Sequence, residues 1–118
     1  MIEATCHCGA VQVRVPAAPA AVTDCNCSIC RRLGTLWAYY PSAEVAIDSA
    51  EGTATYAWGD RSLAFHRCKT CGCATHWQGL DAYADRVGVN ARLFEPEVWS
   101  GLPVRPFDGA AEPIGGRT

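Results

Sequence analysis

Cys25-Asn26-Cys27-Ser28-Ile29-Cys30-Arg31-Arg32 places three thiols within six residues, and Leu33 and Gly34 follow directly. Two cysteines one residue apart, with a third three residues on, can close on one small ion. Zinc takes sulfur at about 2.3 Å and prefers four ligands; a site with three protein ligands keeps a place for water or substrate. No fourth ligand stands close by in the sequence, so the stretch reads as an open metal site of the kind enzymes use. Ser28 is a good helix N-cap and Gly34 a good residue just past a helix end, which predicts a turn or two of helix over residues 28–33. The positive end of that turn would sit beside Cys27 and Cys30 and favour thiolate, with Arg31 and Arg32 adding charge. The rival readings are a buried thiol cluster without metal, or a disulfide with a spare thiol; thiols this close would then be prone to scrambling.

Two further pairs, Cys6-His7-Cys8 and Cys68-Lys69-Thr70-Cys71, are each half of a structural zinc site. Together they make a closed four-sulfur tetrahedron. Gly9 and Gly72 follow the second cysteine of each pair, where glycine lets the backbone turn tightly and aim N–H groups at sulfur. Such a clamp would tie the first strand to the middle of the chain and supply folding free energy to a small β domain. Cys73 is the eighth cysteine and reads first as a free buried thiol, with ligation or a place near the open site as alternatives. His7, His66 and His76 read as surface groups or as neighbours of the ligands.

The chain has 118 residues, enough for one domain with a real core. A formal net charge of -2 gives no basic face for nucleic acid. The start, Met1 to Thr5, has no basic n-region and no apolar h-region, and residues 17–22 are too short and broken by Pro19 to span a bilayer. The expected compartment is cytoplasmic, where clustered thiols mean metal or catalysis before disulfides.

Val11, Val13 and Val15 alternate with polar residues and predict a half-buried strand ended by Pro16. Residues 36–40 are aromatic-rich and predict a strand buried on both faces, stopping at Pro41-Ser42. Residues 53–58 and 62–67 predict a hairpin with Gly59-Asp60 in its turn. Short strands follow at residues 74–77 and 87–91, and residues 94–99 predict one helical turn with Pro96 early in it. About seven short strands with little helix point to an all-β domain over residues 1–109, with residues 110–118 as a flexible tail.

Cys6-His7-Cys8-Gly9-Ala10-Val11, Cys25-Asn26-Cys27-Ser28-Ile29-Cys30-Arg31 and Cys68-Lys69-Thr70-Cys71-Gly72, in this order, resemble the family of the glutathione-dependent formaldehyde-activating enzyme, which includes centromere protein V. The likeness runs from about residue 2 to Asn90-Ala91-Arg92, with Asp108-Gly109 near the end. It implies a zinc-pinned β-tent of mostly antiparallel strands. It also implies two zinc ions: a structural one on Cys6, Cys8, Cys68 and Cys71, and a catalytic one on Cys25, Cys27 and Cys30. The chain departs from the family's usual pattern at Arg67, where an aromatic residue is commoner, and at Cys73, where a hydroxyl or small residue is.

The expected activity is that of a carbon–sulfur lyase-type enzyme. A substrate thiol such as glutathione, deprotonated at the open site, would attack an aldehyde to give a hemithioacetal, or the reverse. Arg31, Arg32 and Arg92 are candidates to meet a substrate carboxylate, against a plain role in balancing thiolate charge. Trp37, Tyr39, Trp58 and Trp77 are candidate pocket walls, with core packing as the alternative. A non-catalytic zinc domain for a protein or small-molecule partner is the second reading, and a zinc reservoir or redox sensor the third. A monomer or a homodimer, without membrane or nucleic-acid partners, fits the sequence.

Overall fold

The structure is a computed structural model that describes residues 1–111. Residues 112–118, most of the expected tail, lie outside the described residues. Among the described residues, ten strands form two sheets, with two α-helices of one turn each. The all-β expectation is met, and all but one of the strand pairings are antiparallel.

The smaller sheet contains β1 (Ile2–Thr5), β2 (Gln12–Val15) and β5 (Ala46–Asp48), in the order β1-β2-β5. Val13 and Val15 of β2 point inward as their alternation predicts, and Ala4 pairs with Val13 from β1. The larger sheet takes β3 (Val22–Cys25), β4 (Trp37–Pro41), β6 (Thr53–Tyr56), β7 (Leu63–Cys68), β8 (Ala74–Gly79), β9 (Arg86–Asn90) and β10 (Val104–Phe107). Their order is β10-β3-β4-β9-β8-β7-β6. The lone parallel pairing sets β10 against β3, so the C-terminal segment returns to lie beside Cys25, with Phe107 opposite it.

Residues directly opposite across a sheet share a face. Ala38 and Val89 are such a pair, and with Val87 they pack against Val13, Val15 and Ala4 of the small sheet to form the main core. Each fully buried valine in it stabilises the fold by roughly 1.5–3 kcal/mol. The opposite face of the large sheet carries Trp37, Tyr39, Trp77 and Phe65, linked by the pairs Tyr39↔Gly88, Trp77↔Gly88 and Phe65↔Trp77. This second face is not sealed: Tyr39 is 52% exposed. The expectation that residues 36–40 are buried on both faces therefore fails at Tyr39: the thiols and Phe65 cover Trp37 at one end of that side of β4, but among the described residues the cover stops short of Tyr39.

The hairpin forms with Tyr56 opposite Phe65 and a longer connection than Gly59-Asp60 alone; Gly59 and Arg61 both take positive φ within it. The first helix, α1 (Cys30–Leu33), is shorter than predicted and is capped at Ile29, not Ser28. Gly34 ends it in the left-handed conformation, as its position implies. The second, α2 (Pro96–Trp99), carries Pro96 in its first turn.

Candidate metal centres and the cleft over one of them

Cys6 and Cys8 lie in the loop between β1 and β2, and Cys68 and Cys71 at the turn from β7 to β8. The fold brings these four sulfurs within 4.8 Å of one another. Cys6 and Cys8 are 3.7 Å apart and Cys8 and Cys68 3.6 Å. Four sulfurs at tetrahedral corners 2.3 Å from zinc would be about 3.8 Å apart, close to these two separations. Because Cys6 and Cys8 come from the small sheet and Cys68 and Cys71 from the large one, an ion there would join the two layers. Gly9 and Gly72 both have positive φ, at +84° and +79°. Their own N–H groups donate to the carbonyls of Cys6 and Cys68, and the tight turns free other amides for sulfur. Val11 N–H reaches Cys6 Sγ at 3.3 Å, and Thr70 and Cys71 N–H reach Cys68 Sγ at 3.3 and 3.5 Å.

These amides set the acidities. Backbone N–H groups, that of Cys73 foremost, lower the Cys71 thiol to about 5, and those of Cys71 and Thr70 lower Cys68. Cys8 receives a similar pull from Ala10, but desolvation and the neighbouring thiols outweigh it and raise it to about 11. Crowded sulfurs cannot all carry charge unless a cation lies between them. Cys73 packs against this cluster but is outside the four-sulfur set, and it is half-buried where a buried thiol was expected.

Cys25, Cys27 and Cys30 converge from the end of β3 and the start of α1, their sulfurs also within 4.8 Å of one another. All three are buried. Trp37 Nε1 donates to Cys30 Sγ at 3.3 Å, and this bond favours charge on that sulfur. The hydrogen bond to Cys25 and burial act in the other direction and hold the Cys30 thiol far above its ordinary range. A donor set of three crowded soft sulfurs is suited to zinc.

The returning C-terminal segment forms the back wall. Gly109 is buried, and a Cβ there would overlap Cys25 Sγ and come within 3.1 Å of Cys27 Cβ. Asn26 holds that segment in place: its Nδ2 donates to Asp108 Oδ1 at 3.0 Å, and its Oδ1 accepts from Ala110 N–H at 2.9 Å.

In front of the three thiols opens a cleft of about 570 Å³. Cys25 and Cys30 stand in its lining, with Trp37, Tyr39, Phe65 and Trp77 as walls and Arg86 as the one basic residue among the described residues. Trp77 lies across the backbone of Gly88, where any Cβ would overlap the indole. Trp58 packs near the thiols but does not line the cleft.

The arginines singled out from the sequence are elsewhere. Arg31 and Arg32 are exposed on α1, with Arg32 Nη1 donating to Ser28 O at 2.7 Å, and Arg92 sits over the Trp99 ring at 5.2 Å. None of the three lines the cleft. Arg86, Gly88 and the packing role of Gly109 were missed. A glycine inside a strand, as Val87-Gly88-Val89 shows, was the available signal for a side chain crossing the backbone. Nothing local marked Arg86.

His7 is exposed. His66 and His76 stack at 4.2 Å, with Nδ1 atoms bonded to Thr53 Oγ1 at 2.7 Å and Thr75 Oγ1 at 2.9 Å. Burial, with some repulsion from His66, lowers His76 to about 3, and burial lowers His66 as well. Neither histidine belongs to a sulfur cluster.

An all-β scaffold that gathers one closed four-thiol set and one open three-thiol set defines a metal-binding domain of zinc type. Residues 1–100 match the family described as glutathione-dependent formaldehyde-activating enzyme, and the chain belongs to that family. A crystal structure of a Rhodobacter sphaeroides protein is 30% identical to it with a TM-score of 0.72, covering 87% of this chain and 99% of that one. Among the described residues no helix is long and apolar enough to cross a membrane.

Proposed function

We propose that the chain is a carbon–sulfur lyase-type enzyme that forms or breaks the adduct of a small thiol with an aldehyde at Cys25, Cys27 and Cys30. The observation that carries this is the contrast between the two clusters. Two of the three thiols stand in the lining of the 570 Å³ cleft, and that lining includes none of Cys6, Cys8, Cys68 or Cys71. The four-thiol set then holds a structural zinc and the three-thiol set a catalytic one.

Zinc held by these three thiolates would supply the Lewis acidity that lowers the pKa of a substrate thiol. Cys25, Cys27 and Cys30 would hold the ion, and the Trp37 N–H stabilises charge on Cys30. The aromatic walls give the space beside the reacting sulfur an apolar lining. In the forward direction a bond forms between sulfur and the carbonyl carbon, and the carbonyl π pair moves to oxygen. That oxygen takes up a proton in place of the one the thiol gave up. The reverse sequence splits the adduct. With eight cysteines and no disulfide, the chain suits the reducing cytoplasm.

Zinc content and X-ray absorption, measured on wild type and Cys27→Ala with and without added thiol, test the reading. Two zincs in wild type, one in the folded variant, and one sulfur ligand gained with thiol are expected. Two four-ligand sites indifferent to thiols would leave the binding-domain reading. Against that rival, neither Cys73 nor any histidine joins the three-thiol set among the described residues.

A further inference from the structure

Among the described residues, thirteen line the cleft, seven of them aromatic, with one cation and one carboxylate, Arg86 and Asp85. The strand register orders them along a line. Trp37, hydrogen-bonded to Cys30, lies opposite Asn90, Tyr39 opposite Gly88, and Pro41 opposite Arg86. At about 3.3 Å per residue, the Arg86 rung is roughly 13 Å from the Trp37 rung, a distance the arginine side chain shortens. Between the two ends, Tyr39 and Trp77 stand 5.9 Å apart at 54°, and Gly88 gives the indole its place. Arg86 is exposed and lies over the Tyr83 ring at 5.3 Å, and among the described residues its guanidinium has no carboxylate partner.

Resting on the thiol–aldehyde reading above, we propose that the cleft takes a compact thiol with a flat apolar body and a single carboxylate, an aryl- or arylmethyl-thiol acid, in preference to glutathione. Sulfur sits at the three thiols, the ring lies among Tyr39, Trp77 and Phe65, and the carboxylate meets Arg86. A guanidinium already stacked on a tyrosine remains free to grip a carboxylate with two parallel hydrogen bonds. Asp85 beside it repels a second anion, so one negative charge is accepted. Glutathione brings two carboxylates, an ammonium and two amides, and each polar group buried against aromatic walls without a partner is unfavourable. The bond changes are those given above, and no oxidant or further reactant is needed.

The test uses the zinc-loaded chain, with binding followed by tryptophan fluorescence and sulfur ligation by X-ray absorption. The probes are 4-(mercaptomethyl)benzoate, benzyl mercaptan and glutathione. The benzoate is expected to bind at least tenfold more tightly than glutathione. Arg86→Gln should weaken the benzoate about tenfold while leaving benzyl mercaptan within twofold, and Asp85→Asn should strengthen the benzoate severalfold. Glutathione binding as tightly as the benzoate, or Arg86→Gln weakening both aryl thiols alike, overturns this inference and leaves the thiol–aldehyde reading standing. If no thiol adds a sulfur to the site, that reading fails and this one with it.

Discussion

Gly109→Ala adds one methyl group at the back wall of the three-thiol site. Gly109 is not among the positive-φ glycines, so alanine is conformationally permitted and packing alone decides the outcome. The new carbon would overlap Cys25 Sγ and lie 3.1 Å from Cys27 Cβ, against an ordinary carbon–carbon contact of about 3.5–4.0 Å. Relief from Cys27 alone requires a retreat of about half an ångström, and Cys25 demands more. The segment cannot simply move away, because β10 is paired to β3 and Asn26 bonds to both Asp108 and Ala110. An extra methyl in a well-packed site typically costs about 1–3 kcal/mol. If that cost falls on the geometry of the sulfurs, zinc affinity at this site drops about 5- to 150-fold. Competition with a chromophoric chelator resolves the two sites, and the four-thiol site serves as the internal control. An unchanged affinity at the three-thiol site, with the thermal midpoint also unchanged, would show that the C-terminal segment is not part of the site.

If the four-thiol set holds the proposed structural zinc, Cys8→Ser should remove it and with it the cooperative thermal transition, whereas Cys27→Ala should keep the transition and lose only the proposed second ion; calorimetry with metal analysis separates the two. Trp37→Phe removes the N–H···S bond to Cys30, worth about 1 kcal/mol, so zinc affinity at the three-thiol site should fall about fivefold in the chelator assay. Acid sensitivity provides a further check. His76 is held near 3 by burial, below its ordinary 6.5, so on acidification the unfolded chain takes up a proton the native one refuses. Stability should therefore fall from about pH 6.5 down toward pH 3, by at most about 1.4 kcal/mol per pH unit from this group. Urea midpoints at pH 7, 5 and 4 should show a shallower decline for His76→Gln, and parallel curves would refute the assignment.

Much of the candidate site was legible because sulfur ligands declare themselves by spacing. The pairs Cys6/Cys8 and Cys68/Cys71 and the triplet Cys25/Cys27/Cys30 partition in space as they do in sequence. Alternation marked β2, and Gly34 marked the end of α1. Local signals failed where the partner was remote. β1, β3, β5 and β10 are only three or four residues long, and β10 is exposed at every position, so no periodicity identifies it. It pairs with β3, and Asn26 bonds to Asp108 just beyond it, a contact across 82 residues of sequence.

By itself the sequence determined the chemistry available: which sulfurs can share an ion, how many ligands each cluster offers, and that the chain is all-β. These follow from short-range spacing and from periods set by the backbone. Only the tertiary structure decided which cluster faces a cleft, that Arg86 and not Arg31, Arg32 or Arg92 stands in it, and that Gly109 closes its back. Those outcomes depend on strand register, and register places side by side residues whose separation along the chain carries no local mark.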